Sequence, residues 1–518
     1  MERSPLEEAA ACTRLFWTWL VARTVAWFGA VAVVQPNPLQ DLVESLAWGH
    51  HFAWGYPKQP PLTSWLAEAF GRLSPGNVWP LYLAGYLAAA LCLWAVWRVA
   101  CSYLSPRAAL FAVVGLDGLI YLTGEASEFN NNITLCALWS LAVLCFLRAT
   151  HTGMLRWWLA LGVIAGLGLL CKYPIVFLLA ALGGYLVCHR AGRRHWRSAG
   201  PYCAVLVAAA VFAPHVVWLT RHDFLPFHYA AARASNTGPM GHITQPLMFL
   251  VSQFVRFLPV LAVLSPLLGR RRGDEPNLAG TADRAVLHWA VLGPLALLLS
   301  YSAITGAQLR DRWGAPFVIL GGVWLLATAG LLTVSPIRLR RAGLTWGAIA
   351  VGFLSIWTGR LVVSPYVERS IPRACYPGRQ LTEEIARRWH LRRSEPIPII
   401  AGEAWRASNV CSYAPHRPII YSSGDMGLLT FDPHRAFWTD DADLLTRGGV
   451  IVWGAYQLGD TLPAWIRQRF PNADIQTPIV LPYQTGARVR PDRIGVAFVW
   501  PADDRLSRGD KAGSPARR

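Results

Sequence analysis

The stretch RLFWTWLVARTVAWFGAVAVV, residues 14–34, decides the fold class. It is long enough to cross the roughly 30 Å hydrocarbon core of a bilayer. No small-residue cleavage site accompanies it, so it reads as a retained anchor and not as a removed leader. Comparable apolar runs recur at 80–100, 107–124, 131–149, 157–171, 174–188, 200–220, 246–268, 286–304, 314–333 and 343–361. With the first they make about eleven expected spans, 157–171 and 174–188 being short pieces parted by Lys172. The 518 residues are 54% hydrophobic, and no internal repeat is visible. The chain therefore reads as a polytopic α-helical membrane protein.

After about residue 362 charged residues become frequent. A helix-like stretch, Leu381–His390, then precedes or alternates with strand-like ones at Ile397–Ile400, Pro418–Tyr421, Gly449–Trp453 and Ile494–Trp500. The expected organisation is a membrane domain over 1–365, an extracytoplasmic α/β domain over 366–502 and a disordered tail over 503–518.

The net charge of +18 is mostly a topology signal. Arginines fill the loops 190–197, 270–272 and 338–341 and flank the turns at Arg98/Arg107 and Arg148/Arg156. Placing these loops in the cytoplasm satisfies the positive-inside rule and leaves no basic surface that calls for nucleic acid. An odd number of spans then puts the C-terminal domain outside, in the periplasm of a cell whose inner membrane holds the chain. Eight of the ten cysteines lie in or near spans. Cys375 and Cys411 fall in the exported domain, where a disulfide is allowed, although spacing does not decide whether they meet.

The residues suited to chemistry gather on that outer face. Asp41 and Glu44 stand three apart, so a helix starting near Asp41 would place both carboxylates on one side, with Val43, Leu46, Ala47 and nearby tryptophans suited to the membrane interface. One carboxylate could deprotonate a nucleophile while the other orients it. The plainer alternative is that Asp41 caps the helix and Glu44 is solvated. Lysine and arginine total 48, yet only Lys58, Lys172 and Lys511 are lysine. Two of the three sit at outward membrane boundaries, where a compact ammonium could neutralise a phosphate or simply snorkel from a helix end. Glu125, Glu128 and Asn130–Asn132 precede a span, and the asparagines suit a helix cap. The loop from Arg221 to Tyr229 is long enough to cover a site, but its histidines lack a firm metal-ligand spacing. Arg310, Asp311 and Arg312 sit at a membrane edge, able to grip a phosphate or to pair with each other.

Asp41-x-x-Glu44 followed by Gly55-Tyr-Pro-Lys-Gln-Pro-Pro-Leu-Thr-Ser-Trp65 resembles bacterial family 39-type glycosyltransferases of the GT-C class. This superfamily includes protein O-mannosyltransferases, the aminoarabinose transferase of lipid A and rhizobial lipopolysaccharide galacturonosyltransferases. The resemblance covers residues 14–365 and takes in Cys171-Lys172-Tyr173-Pro174 and Arg312-Trp-Gly-Ala-Pro-Phe317. It implies a polyprenyl-phosphate-linked sugar as donor, an envelope glycan or glycolipid such as lipopolysaccharide as acceptor (protein second), and membrane lipids as surroundings. By that resemblance Asp41 is the base, with Glu44 beside it. Tyr56, Lys58, Gln59, Lys172, Tyr173, Arg310 and Arg312 bind substrate. The aminoarabinose transferases carry Glu-Lys before the Pro-Pro pair where this chain has Lys58-Gln59, so no firmly bound metal is expected and a divalent ion is optional. The competing readings are a transporter or lipid flippase, which would need ionisable groups buried in mid-membrane such as Asp117, and a receptor or scaffold working through the exported domain.

Overall fold

The computed structural model describes residues 4–234, 238–268, 284–329, 335–367, 372–422, 434–481 and 490–501. The basic loop 270–272 and the expected tail 503–518 lie outside them. The chain gathers into two compact units: Met1–Val31, Lys58–Thr63 and Tyr82–Thr358 in one, and Ala32–Pro57, Ser64–Leu81 and Gly359–Arg518 in the other. The second unit thus draws on the first outer loop as well as on the C-terminal sequence.

Seven helices among the described residues are long and apolar enough to cross a membrane: Pro5–Val34, Trp79–Tyr103, Asn131–Thr152, Gly200–Arg221, Gly241–Leu267, Arg284–Thr305 and Pro336–Val367. Two bent pairs raise the number to nine: Ile175–Cys188 with Arg190–Arg197, turned by 87°, and Asp311–Val318 with Gly321–Ala329, turned by 47°. The remaining two of the expected spans differ from an unbroken crossing helix. Leu155–Cys171 is a shorter apolar helix, and 107–124 is broken. There Pro106–Val114 gives way to short 3-10 turns at Gly115–Gly118, Ile120–Leu122 and Gly124–Glu128.

The break has a physical cause in Asp117. Its carboxylate takes the Nε of Arg23 at 2.5 Å and the indole N–H groups of Trp19 at 3.0 Å and Trp346 at 2.9 Å. Both members of the ion pair are nearly fully buried, with side-chain exposure of 3% each. Arg23 also donates to the carbonyl of Leu122, a backbone acceptor that an unbroken helix would otherwise satisfy. Irregular backbone survives at membrane depth only where protein groups replace the missing helical bonds. The mid-membrane acid on which a transport reading would rest is therefore a tie between the first span, the broken span and the last.

Close helix contact elsewhere in this unit depends on small residues. Leu155–Cys171 lies against Gly200–Arg221 through Gly162 and Gly166. A Cβ at Gly162 would stand 2.6 Å from the Ala204 carbonyl oxygen, and one at Gly166 would stand 2.6 Å from Val211 Cβ. Such spacing lets two backbones approach in lipid, where apolar burial alone favours no particular helix pairing.

The second unit is built on a six-stranded mixed sheet. Its strands are β1 (Ile399–Gly402), β2 (Ile419–Tyr421), β3 (Gly449–Gly454), β4 (Asp474–Ile475), β5 (Ile479–Leu481) and β6 (Asp492–Val499). The order is β2-β1-β3-β6-β4, with β5 also paired to β6; β1 runs parallel to β2 and β3, and β6 is antiparallel to its partners. Alternation along the strands sends Ile400, Val450, Val452, Val496 and Phe498 to one face and Ile399, Ile451, Trp453, Ala497 and Val499 to the other. Leu381, Ile385 and Trp389 of Gly378–His390 and Val410 of Ala404–Tyr413 cover the first face, while Leu444, Ile466 and Phe470 cover the second.

Val43, Ala47, Trp48 and Tyr56 join the first of these cores. Gln40–Gly49 is therefore packed in protein on its apolar side, against Ala404–Tyr413, and does not use Val43 and Ala47 to rest in the membrane interface. The packing fits its sequence, because the residues suited to an interface suit a protein core equally well. Cys375 and Cys411 are separate thiols: Cys411 donates to the Pro418 carbonyl at 3.2 Å and Cys375 to that of Leu361 at 3.6 Å.

A charged knot lies within the same unit. The buried Glu68 pairs with the buried Arg417, accepts from Arg72 Nε at 2.7 Å and lies 3.7 Å from His50 Nδ1. Burial by itself would raise this carboxyl. The nearby His50 ring, the hydrogen bond from Arg72 and the charge of Arg417 outweigh it and bring the carboxyl down to about 2.

Two outcomes follow for stability. Asp117→Asn leaves Arg23 uncompensated and costs roughly 3–5 kcal/mol, read as a lower melting temperature of the detergent-solubilised protein. The double change Arg23→Met, Asp117→Leu recovers most of that loss. Glu68 is ionised more readily folded than at its ordinary value of 4.5, so its contribution is complete above that value and fades as pH falls toward 2. Glu68→Gln therefore lowers stability at neutral pH and flattens the acid limb of a melting-temperature profile between about pH 4.5 and 2.

Candidate functional site

The outer residues of the membrane unit converge on a network of acids, cations and amides. Asn130 is the N-cap of Asn131–Thr152: its side-chain oxygen accepts the backbone N–H groups of Asn132 at 2.9 Å and Ile133 at 3.3 Å. The capping expectation is met by Asn130 alone among the three asparagines, and all three make further bonds. Asn130 donates to Glu128 Oε2 at 2.7 Å, Asn131 donates to the Cys171 carbonyl at 2.7 Å, and Asn132 accepts from the ammonium of Lys172. Lys172 sits 5.8 Å from the centre of the Trp313 ring. The amide run thereby fixes the Cys171-Lys172-Tyr173 turn from the neighbouring span.

Arg312 grips Glu128 with one guanidinium nitrogen, at 2.6 and 2.8 Å from its two oxygens, and approaches Glu125 at 3.7 Å. Arg256 lies 3.8 Å from Glu125 and 3.6 Å from Asp311, with its guanidinium 5.2 Å from the Tyr121 ring centre. Tyr121 OH donates to the Asp311 carbonyl at 2.8 Å and lies 3.1 Å from Gln253 Oε1, holding the 311–314 turn in place. Burial raises the Glu125 carboxyl above its ordinary value, against the lowering influence of Arg312 and Arg256. A carboxyl poised in this way can exchange a proton nearer neutrality than an exposed one.

Lys58 belongs to the same unit, its ammonium 5.8 Å from the Tyr229 ring centre. Its short segment meets the Lys172 turn through Thr63 Oγ1, 3.7 Å from Cys171 Sγ. Gln59 is half-buried. Tyr173 OH is 2.9 Å from His215 Nε2, and its ring stacks on Phe227 at 4.7 Å. Arg310 is exposed and, among the described residues, enters none of these charge pairs; the anticipated pairing of the 310–312 arginines with Asp311 is replaced by Arg256–Asp311 and Arg312–Glu128.

The remaining expected residues, Asp41, Glu44 and Tyr56, belong to the other unit. The N-cap of Gln40–Gly49 is Leu39, so Asp41 is not the cap; it stands exposed in the first turn. Glu44 is buried and accepts from Gln40 Nε2 at 3.3 Å, so it is not a solvated side chain. Tyr56 is fully buried and stacked on Trp48 at 5.8 Å. The first turn thus offers one carboxylate to solvent, and the next turn holds Glu44 in a packed, hydrogen-bonded setting.

Three participants went unselected in the sequence. Glu125 and Glu128 were visible as acids before a span but were not separated from a capping role. Arg256 carries the clearer signal, as the single charged residue of the apolar run 246–268. Among the described residues no three His, Cys, Asp or Glu side chains gather closely enough to hold a metal ion.

Residues 58–218 match the family model described as dolichyl-phosphate-mannose-protein mannosyltransferase. The lipopolysaccharide core galacturonosyltransferase RgtA of Rhizobium johnstonii is 25% identical over 75% of this chain and 78% of its own length. RgtB of the same organism, also a lipopolysaccharide core galacturonosyltransferase, is 22% identical over 93% of this chain and 97% of its own length. Among solved structures, ArnT from Cupriavidus metallidurans bound to undecaprenyl phosphate superposes with a TM-score of 0.62. That match has 14% identity and covers 95% of this chain and 98% of ArnT, a likeness of fold. The chain is thus similar to family 39-type membrane glycosyltransferases, through residues 58–218 by the family model and over most of its length by the relatives, and it shares the fold of ArnT.

Proposed function

We propose that the protein transfers a sugar from a polyprenyl-phosphate donor to lipopolysaccharide or another envelope glycolipid, on the periplasmic face of the inner membrane. The observation that carries this reading is the network in the membrane unit, where Lys172, Arg256 and Arg312 gather around Glu125, Glu128 and three asparagines. Such a group suits an anionic leaving group presented at a membrane boundary. The relatives RgtA and RgtB act on the lipopolysaccharide core, and ArnT was solved with undecaprenyl phosphate. Galacturonic acid is accordingly the first donor sugar to test.

The reaction is an inverting displacement. An acceptor hydroxyl oxygen attacks the anomeric carbon and forms the new glycosidic bond. The bond from that carbon to the phosphate oxygen breaks, and the polyprenyl phosphate leaves with the electron pair. Asp41 takes the hydroxyl proton, which its exposure to solvent permits, and Glu44 supports the turn that carries it. Lys58 and Lys172 neutralise the charge that grows on the phosphate, with Arg312 and Arg310 beside them in that role. Tyr56, Gln59 and Tyr173 contribute to substrate binding. The arginine-rich loops, read as cytoplasmic by the positive-inside rule, support a periplasmic C-terminal domain.

Purified full-length protein, given undecaprenyl-phosphate galacturonic acid and lipopolysaccharide, is expected to release undecaprenyl phosphate as the acceptor gains the sugar. Asp41→Asn lowers kcat by roughly 10²–10⁴-fold in that assay, and unchanged turnover would remove Asp41 as the base. Chelator leaves turnover within about twofold, because the step is assigned no resident metal. Lys172→Met costs on the order of 100-fold in kcat, with Lys172→Arg retaining part of it; equal activity in all three forms would take Lys172 out of the site.

A further inference from the structure

The C-terminal part of the chain reaches Glu44 through a directed hydrogen-bond relay. Arg373 Nη1 donates to Gln40 Oε1 at 2.5 Å, and Gln40 Nε2 donates to Glu44 Oε1 at 3.3 Å. All three residues belong to the same unit. The relay does not hang on one flexible side chain, because the backbone around Arg373 is zipped to the strand of chain that enters Gln40–Gly49. Asn37 N donates to the Ala374 carbonyl at 3.0 Å, and Asn37 Nδ2 donates to the Arg373 carbonyl at 3.1 Å. Tyr413 OH, from Ala404–Tyr413, is shared between the Pro36 carbonyl and Asn37 Oδ1, each at 2.9 Å. The Arg373 guanidinium lies 5.7 Å from the centre of the Trp405 ring.

An amide side chain is ambivalent: one end accepts, the other donates, and a half-turn exchanges them. Beside a carboxylate, only the donating end is favourable. A guanidinium donates and never accepts, so it removes the ambivalence: with Arg373 on the oxygen of Gln40, the NH2 group faces Glu44. We propose that Arg373 is a positioning residue for the transfer reaction, acting through Gln40 to fix Glu44 and the helical turn that presents Asp41. The proposal rests on the reading that this turn carries the reacting carboxylates. It gives the C-terminal sequence a part in the chemistry without contact to the substrate. A misplacement of a reacting group by about 1 Å is enough to cost up to 100-fold in rate.

The test uses purified full-length protein with undecaprenyl-phosphate galacturonic acid as donor probe and lipopolysaccharide as acceptor. Arg373→Met and Gln40→Glu are compared with Arg373→Lys. In Gln40→Glu the new carboxylate still accepts from Arg373 but can no longer donate to Glu44. Both disruptive variants are expected to lower kcat by roughly tenfold or more with the donor KM within about twofold, and Arg373→Lys to recover part of the loss. Removing the Arg373 cation, or adding a carboxylate next to Asp41, disfavours the ionised form of that base, so the acid limb of kcat against pH moves to higher pH, furthest in Gln40→Glu. A loss of activity with the acid limb unmoved would mean a general structural fault and overturn the proposal. Wild-type kcat and an unmoved limb in both variants would overturn it too. If Asp41→Asn is inactive in that last case, the transfer reading stands without Arg373; if Asp41→Asn and Glu44→Gln are both fully active, the carboxylate reading has itself failed.

Discussion

A charge pair in a hydrocarbon environment is the constraint on which the membrane unit depends. Arg23 and Asp117 would each be costly alone at that depth, and together they make the broken segment after Pro106–Val114 tenable. Asp117 needs its two indole donors as much as its guanidinium, because a buried pair is favourable only when its remaining hydrogen-bonding capacity is met. Once the segment is broken, Gly124–Glu128 can turn back as 3-10 structure and bring Glu125 and Glu128 to Arg256 and Arg312. The outer network is thus a consequence of the inner pair.

The other unit obeys a different rule. Its sheet is covered on both faces, and the first-loop helix contributes to one cover with Val43, Ala47 and Trp48. The same ten residues of Gln40–Gly49 therefore serve two purposes: an apolar side that packs in the core, and a first turn whose solvent-facing acid is followed one turn on by a buried one. The rigidity of the core is what gives the turn a defined orientation.

The sequence disclosed the fold class because hydrophobic length and arginine placement are one-dimensional signals. It located most spans, and the helix and strand-like stretches of the C-terminal part. The break at 115–128 was hidden, since Gly115, Asp117 and Gly118 sit in an otherwise apolar run and their partners, Arg23 and Trp346, are remote in the chain. Lys58 and Lys172 stood out by rarity alone, in a composition that writes its cations as arginine. Arg256 stood out equally, as the single charge of the apolar run 246–268, but its partners did not, and the Arg373–Gln40 relay acquires meaning only from residues far away in sequence. Helix periodicity placed Val43 and Ala47 on an apolar side but could not distinguish a lipid surface from a protein core.

The zipper between Asn37 and Ala374 joins points separated by nearly the whole membrane domain. During synthesis the first loop emerges long before the strands that will cover it. Gln40–Gly49 must wait through every later span with its apolar side uncovered, and its unit closes only when the last part of the chain arrives. Assembly of that unit is therefore a late event, governed by a long-range closure, with an exposed helix as its vulnerable intermediate. A truncation before residue 372 would leave Gln40–Gly49 without its hydrogen bond from Arg373 and its packing against Ala404–Tyr413, even though every residue of the helix itself is present.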